Sequence, residues 1–366
     1  MSFAYNGRVG AGGLDPPVLL PENTADSRIL EIILKRWQFW LGVLVSVVFL
    51  YVALAGLDVA EAWQDIRSAR YVWLIPGVLV YFVAVWARTW RWHYMLGPLK
   101  PVPLGRLFPI VCIGYMGNNI YPARAGEVIR SYVLKRKEGI SMSASLATVI
   151  VERVFDGLVM LLFVFISLPF APMLQDFRQP VIFFSALFFL ALAVFMILAA
   201  SPSRTRQLYD FVANRFLPER LRPRVGELFD RFMLGLSSLR RGRDVFMIFA
   251  TSIVIWLAET VKYWFVMHAF NFSVSFIVLM LMNGIVNLAT TLPAAPGYVG
   301  TFDASGIAVL RAFNVPSEIA AAYTVVLHVA LWFPITALGA FFMWREQITW
   351  RDFGAATQSR EMGSAS

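Results

Sequence analysis

From Pro180 to Ala200 the chain carries no charged side chain, and a comparable run extends from about Gln38 to Leu57. About 20 apolar residues are what an α-helix needs to cross the hydrocarbon core of a bilayer, where every backbone N–H and C=O must be satisfied internally. Runs of this length therefore restrict the chain to a membrane helix bundle. Further long apolar stretches lie at about Tyr71 to Leu96, Ala144 to Leu168, Val245 to Phe270 and Ile319 to Trp344, so six spans are expected. With 58% hydrophobic and 15% charged residues among 366, the chain lacks the solvated exterior of a soluble enzyme, a nucleic-acid module or a disordered scaffold.

Two other apolar stretches, Leu104 to Pro122 and Phe276 to Pro293, end in proline and run into Gly-rich, partly polar sequence. That pattern suits a broken or re-entrant helix, and each is expected to form a hairpin on one side. The expected fold is all-α: a polytopic bundle of about six spans plus two re-entrant hairpins. Residues 1–36, rich in Gly and Pro near their start and without a signal-peptide pattern, read as a mobile cytoplasmic tail; 37–344 form the transmembrane domain, and 345–366 a second cytoplasmic tail.

The net charge of +9 resides in the connections. With the N-terminus inside, 26 of the 32 Lys and Arg fall on the inner face, four on the outer face and two, Arg153 and Lys262, at membrane depth. This asymmetry predicts an inner, cytoplasmic membrane protein with both termini in the cytoplasm. The basic loop 201–243 interleaves ten Arg with Leu208, Phe211, Phe216, Leu228, Phe229 and Phe232, which fits either interfacial helices on anionic lipid or a solvated orientation-setting loop. No nucleic-acid motif is present. A single cysteine, Cys112, and three widely separated histidines (His93, His268, His328) give no disulfide and no metal spacing, so no cofactor or metal is expected.

Pro122-Ala123-Arg124-Ala125-Gly126-Glu127-Val128 has a partner 171 positions later in Pro293-Ala294-Ala295-Pro296-Gly297-Tyr298-Val299, both reading P-A-x-x-G-x-V. The likeness extends to Thr148-Val149-Ile150-Val151-Glu152 against Thr324-Val325-Val326-Leu327-His328. Because the units from about Tyr71 to Leu168 and Val245 to Trp344 would enter the membrane from opposite sides, the repeat is expected to be inverted, as in transporters built on broken helices. Chance likeness between two helix breaks is the alternative, since Pro, Ala, Gly and Val are common in membrane helices.

Charged groups inside apolar runs mark candidate function. Glu152 and Asp156 are four apart on one helical face, and Arg153 stands three before Asp156. Glu259 and Lys262 repeat an i,i+3 pairing. Each would cost about 3 kcal/mol unpaired near the bilayer centre, so they should face a partner or water. The alternative is an ion pair that only fixes helix packing. Next to the first break, Asn118, Asn119, Arg124, Glu127 and Arg130 form the most polar stretch: the two guanidinium forks suit a phosphate, and Glu127 suits an amine or a partner Arg.

Gly117-Asn118-Asn119 to Pro122, then Arg124, Gly126-Glu127 and Arg130, then Glu152-Arg153 and Asp156, resemble the lysylphosphatidylglycerol synthase transmembrane region, a flippase-like membrane family. Pro293, Pro296-Gly297 and Gly300 resemble its second motif, although Thr301-Phe302-Asp303 departs from the acidic pattern expected after the glycines. The resemblance covers about Trp37 to Trp344. It implies a multi-pass protein that moves aminoacylated phosphatidylglycerol between leaflets, here with the translocase-like part and without the soluble synthase domain.

The expected function is thus a lipid translocase. A headgroup is held by Asn118, Asn119, Arg124, Arg130 and Arg153, Glu127, Glu152 and Asp156 balance charge, and titratable Glu152 and His328 occupy matching repeat positions. No catalytic residue is assigned. A membrane-embedded transferase acting on a lipid-linked substrate is the second reading, and an accessory protein of envelope lipid synthesis the third. The partners implied are membrane lipids, anionic or aminoacylated phospholipids above all, together with a lipid-synthesis enzyme and a second copy of the chain.

Overall fold

The structure, a computed structural model, describes residues 37–121, 124–170, 178–216, 218–219, 221–292 and 294–349. The described residues form thirteen α-helices and short 3-10 turns, with no strand among them. The expected tails and the prolines Pro122 and Pro293 lie outside or largely outside these residues.

Each of the six long apolar runs contains a helix. α1 (Trp37–Leu54) ends at Gly56, whose φ of 78° a side chain would resist, and Asp58 then caps α2 (Val59–Ser68) by accepting from the Ala60 and Glu61 amides at 2.8 and 3.2 Å. The two helices meet at 88°. α3 (Leu74–Leu96) extends a 3-10 turn at Tyr71–Trp73; α4 (Leu104–Ile120), α5 (Ala125–Glu138) and α6 (Met142–Ser167) follow. α7 (Arg178–Ala200) bends by 102° into α8 (Pro202–Phe216), and α9 (Arg222–Gly235) leads through a 3-10 turn at Leu236–Arg240 to α10 (Gly242–Met267). α11 (Phe276–Ala289), α12 (Thr301–Ala312) and α13 (Ser317–Arg345) complete the chain.

Among the described residues, three segments can cross a membrane by length and composition, Tyr71–Leu96, Gly242–Met267 and Ser317–Arg345, or five if each bent pair is one span. The sequence expectation of six differs because α6, 26 residues long, carries Glu152, Arg153 and Asp156 at its centre.

α4 and α5 form the first hairpin. They approach until backbone meets backbone: a methyl at Gly126 would lie 1.9 Å from the Gly114 carbonyl oxygen. The hairpin's open end is tied by Lys100, which donates to the Glu138 carboxylate at 3.0 Å. α11 and α12 form the second hairpin around a 3-10 turn at Pro296–Tyr298.

α3 and α10 pack antiparallel: Gly77 lies against Phe265, Arg88 against Glu259 and Arg91 against Ser252. α13 packs along α4 and α6 along α11; α2 rests on α13 and α9 on α6. One buried apolar cluster, including Trp92, Ile113, Met116 and Val151, fills the half around the first hairpin, and another, including Tyr263, Met282, Phe302 and Tyr323, the half around the second. Lys137 pairs with Glu346 at one end of the bundle, and the Arg70 amide donates to the Ala269 carbonyl at 2.8 Å at the other. The first hairpin therefore opens toward the end that holds the C-terminus of α13, and the second toward the end that holds its N-terminus.

Candidate functional site

The first break begins where α4 stops at Ile120 and restarts at Ala125 after Arg124, which has a left-handed φ of 53° as N-cap of α5. No side chain caps α5, and its first turn includes Glu127. This leaves a helix N-terminus beside a group of ions, a setting that favours an anion.

Beneath the break lies a small, partly open recess lined by Val111, Gly114, Tyr115, Asn118, Gly126, Glu127, Arg130 and Arg153. Four of the residues expected for headgroup binding meet here, brought from α4, α5 and α6. Arg130 is buried, pairs with Glu152, and lies 4.8 Å over the Trp92 ring, whose indole N–H donates to Thr148 Oγ1 at 2.9 Å. Arg153 Nε stands 3.2 Å from Glu127 Oε1, but off hydrogen-bonding geometry. Four buried polar atoms around the recess lack a hydrogen-bond partner: Asn118 Oδ1, Glu127 Oε1, Arg130 Nε and Arg153 Nε. Two are acceptors and two are donors. Such atoms are costly unless a ligand or water completes them.

Arg124 points elsewhere, donating to the Thr290 carbonyl at 3.3 Å with its guanidinium 5.7 Å over Tyr298; Glu127 is 3.9 Å away. It links the first break to the end of α11. Asn119 is also structural in its contacts, donating to Thr336 Oγ1 at 2.8 Å and receiving the Trp332 indole N–H at its carbonyl at 3.3 Å.

Asp156, expected to pair with Arg153, has a nearer partner. Arg91 grips it with both terminal nitrogens at 2.6 and 3.4 Å and donates to Ser252 at 2.7 Å, and the Trp256 indole N–H adds 2.9 Å, whereas Arg153 stands at 3.6 Å. Glu259 is paired with Lys262 and also with Arg88, which reaches it at 2.5 Å, so the group is a triad. Lys262 also sits 4.7 Å from the Tyr81 ring. Arg88 and Arg91 were expected on the inner face as orientation signals; they are instead buried within the bundle, because α3 continues to Leu96 and turns both toward α10. Their i,i+3 spacing at the end of an apolar run was the available signal.

At the second break Gly297 and Gly300 take φ of 70° and 88°, and the Gly300 amide donates to Asp303 Oδ2 at 2.9 Å. His328 lies between Asp303 Oδ1 and the Gly297 carbonyl, 2.8 Å from each. Asp303, which departs from the expected family pattern, thus holds the helix start and the histidine together. Pro296 opens the 3-10 turn, while Pro293 lies outside the described residues. The helix restart follows Arg124 in one half and Gly300 in the other, 176 positions apart, the offset that also relates Glu152 to His328. The motif offset of 171 therefore slips by five across the inserted turn. Among the described residues no group of three or more His, Cys, Asp or Glu could hold a metal ion.

The family described as Lysylphosphatidylglycerol synthase TM region matches residues 39–339. Two proteins of Methanothermobacter thermautotrophicus, each named UPF0104 membrane protein, are 25% identical over 328 residues (84% of this chain, 93% of the relative) and 24% over 312 (81% and 92%). The Glycosyltransferase AglD of Haloferax volcanii is 24% identical over 336 residues, 84% of this chain but 54% of that protein. No solved structure gives a significant match.

Proposed function

From the premise that this chain belongs to the lysylphosphatidylglycerol synthase transmembrane-region family, we propose that it is a lipid translocase that receives a headgroup in the recess under the first break. The observation that carries this reading is the set of four buried atoms there that make no hydrogen bond, donors on Arg130 and Arg153 and acceptors on Asn118 and Glu127, with Arg153 Nε and Glu127 Oε1 facing each other as an ion pair at 3.2 Å. A headgroup that completes them carries an anionic acceptor together with an amine or hydroxyl donor, as phospholipid headgroups do. In this reading Arg130, Glu152, Arg153 and Glu127 contact or polarise the headgroup, Asp156 and Arg91 hold the wall behind it, and Asp303 with His328 forms the counterpart in the other half.

The same reading takes α1, α3, α6, α7, α10 and α13 as six spans of an inner membrane protein, with the basic ends and both termini cytoplasmic. It takes 71–168 and 245–344 as inverted repeats. The antiparallel pairing of α3 with α10, the exchange by which α13 lies on α4 and α6 on α11, and hairpins opening toward opposite ends support that relation. A broken helix at each matching position supplies unpaired backbone groups, which membrane proteins tolerate where they line a polar route.

The test is leaflet transfer of labelled phosphatidylglycerol, lysyl-phosphatidylglycerol and a polyprenyl phosphate in vesicles containing the purified protein. Transfer that is lost in Arg153→Gln and Glu127→Gln, at unchanged membrane abundance, supports the site; unchanged transfer removes it. The similarity to a protein named as a glycosyltransferase favours a second reading, a membrane part that handles a lipid-linked substrate beside a transferase. Transfer of a labelled sugar by the purified chain would move the assignment there.

A further inference from the structure

The two halves differ at one place. Around the second break, α1 packs against α12 so closely that a methyl at Gly42 would lie 2.8 Å from the Ala294 carbonyl and one at Gly300 2.5 Å from the Ser46 carbonyl; Ser46 Oγ accepts from the Ala295 amide at 2.9 Å. α7 holds the corresponding place in chain order, each being an apolar helix followed at a bend near a right angle by an amphipathic one. Yet α7 rests on the 3-10 turn at Leu236–Arg240 and touches α6 at Gly157, and it has no comparable packing with α5 among the described residues. Among the described residues the first break lacks the cover that the second has.

A window results on the flank of α6. At its lower edge Gly235 of α9 seats on Ala144 and Ala147, and at its upper edge Phe188 of α7 meets Gly157. Ten residues separate Ala147 from Gly157, about 15 Å along a helix. Within this span Ile150 is 42% exposed and the Arg153 side chain 34%. The 17 residues of α4 carry the break about 25 Å in from its end of the bundle, a depth that falls within the hydrocarbon if α3, α10 and α13 span it as proposed.

We infer that this window, framed by α6, α7 and α9, is a lateral doorway in which a two-chain lipid rests with its headgroup on Arg153 and in the recess and its acyl chains against Ile150 and Phe188. What passes through it rests on the translocase reading; where it opens does not. A water-soluble ligand would have to shed its hydration at this depth, while a purely apolar one would offer no hydrogen bond to the four buried atoms that lack one. Only an amphiphile meets both surfaces.

The full chain carrying p-benzoylphenylalanine at Ile150, or at Val329 on the lipid-exposed face of α13 as comparison, is placed in vesicles of equal parts phosphatidylglycerol, phosphatidylethanolamine and phosphatidylcholine. After illumination the adducts are identified by mass spectrometry. Phosphatidylglycerol is expected to be enriched several-fold at Ile150 relative to Val329, and the enrichment to vanish with Arg153→Gln. Adducts at both positions that mirror the vesicle composition, or enrichment that persists in Arg153→Gln, would overturn the doorway. Cross-linking needs no movement, so enrichment without leaflet transfer removes translocation alone, and transfer with bulk-like adducts removes the doorway alone.

Discussion

Arg88 and Glu259 meet at 2.5 Å, and they stand 171 positions apart, which is also the offset between Pro122 and Pro293 in the repeated motif. The apolar segments that carry them, Tyr71–Leu96 and Gly242–Met267, begin and end at the same offset. A position that contacts its own counterpart lies on the axis relating the two units of the proposed repeat, and here one unit supplies the cation and the other the anion. Three residues on, Arg91 and Lys262 are counterparts too, but each turns to a different carboxylate.

Buried ions of this kind fix a crossing more than they strengthen it. Removing Glu259 alone leaves Arg88 and Lys262 buried without their shared partner, and Glu259→Gln is expected to cost about 3 to 5 kcal/mol. Replacing all three by Met removes charge and desolvation together, so the triple variant should melt closer to the parent than the single one does. Thermal unfolding in detergent decides; a triple variant less stable than Glu259→Gln would show that the triad contributes net stability.

Asp156 and Arg153 should separate wall from ligand site. Asp156 accepts from Arg91 and Trp256 in a buried setting, so Asp156→Asn should lower stability by about 3 kcal/mol or more. Arg153 holds its three carboxylates at 3.2 to 3.8 Å, and Glu152 and Asp156 keep nearer partners in Arg130 and Arg91, so Arg153→Gln should cost clearly less stability than Asp156→Asn while abolishing phosphatidylglycerol selectivity. Equal losses of stability in the two would show Arg153 to be structural.

Much of this arrangement was legible in the residues. Apolar runs gave the long helices, proline with Gly-rich sequence gave the two breaks, and the i,i+3 and i,i+4 spacing of Glu152, Arg153 and Asp156 placed them on one side of α6. What spacing could not give was partner choice across the bundle. Arg88 and Arg91 read as orientation signals because they stand near the end of a run, and only the packing of α3 on α10 and α6 reveals them as partners of Glu259 and Asp156. The five-residue insertion at the second break was hidden for a related reason: Pro, Gly and Val recur at the motif offset, while the helix restarts at Gly300, where a φ of 88° follows from tertiary contact with α1.

The crossing of α4 and α5 predicts a sharp contrast between glycines. Gly126→Ala puts a methyl 1.9 Å from the Gly114 carbonyl and 2.5 Å from the Asn118 amide, both backbone and unable to yield, so it should destabilise by about 3 kcal/mol and widen the hairpin. Gly105→Ala, at the start of α4, meets nothing within 4 Å and should be neutral or slightly stabilising. Melting temperatures of the two variants check this, and a stable Gly126→Ala protein would contradict the packing.

α8 is expected to lie in the membrane surface. It leaves α7 at 102° and exposes Leu208, Phe211, Val212 and Phe216, with Arg204 and Arg215 on the same short helix. Because Cys112 is buried, introduced cysteines can be labelled selectively. Nitroxides at Phe211 and Phe216 should relax with oxygen, and one at Asp210 with a water-soluble nickel chelate. Substituting anionic for neutral lipid should deepen the first two; equal access to the nickel reagent at all three sites would place α8 in water.

The end of the bundle gives a pH dependence whose sign follows from geometry. The Glu346 carboxyl accepts from Lys137 and Arg345, which hold it below the ordinary carboxylate value of 4.5. A carboxyl lowered in the folded state stabilises fully above its unfolded value, and that contribution fades as the pH falls through 4.5 toward the folded one. Lys137 tethers the end of α5 to the end of α13, so Lys137→Ala should lower the melting temperature at neutral pH by an amount corresponding to at most about 1 kcal/mol, since the pair is partly solvated. Once the pH has fallen below the folded value the carboxyl is neutral in both proteins and the difference should shrink toward zero. A difference that stays constant from neutral pH to acid would mean that Lys137 acts through packing of its stem, not through Glu346.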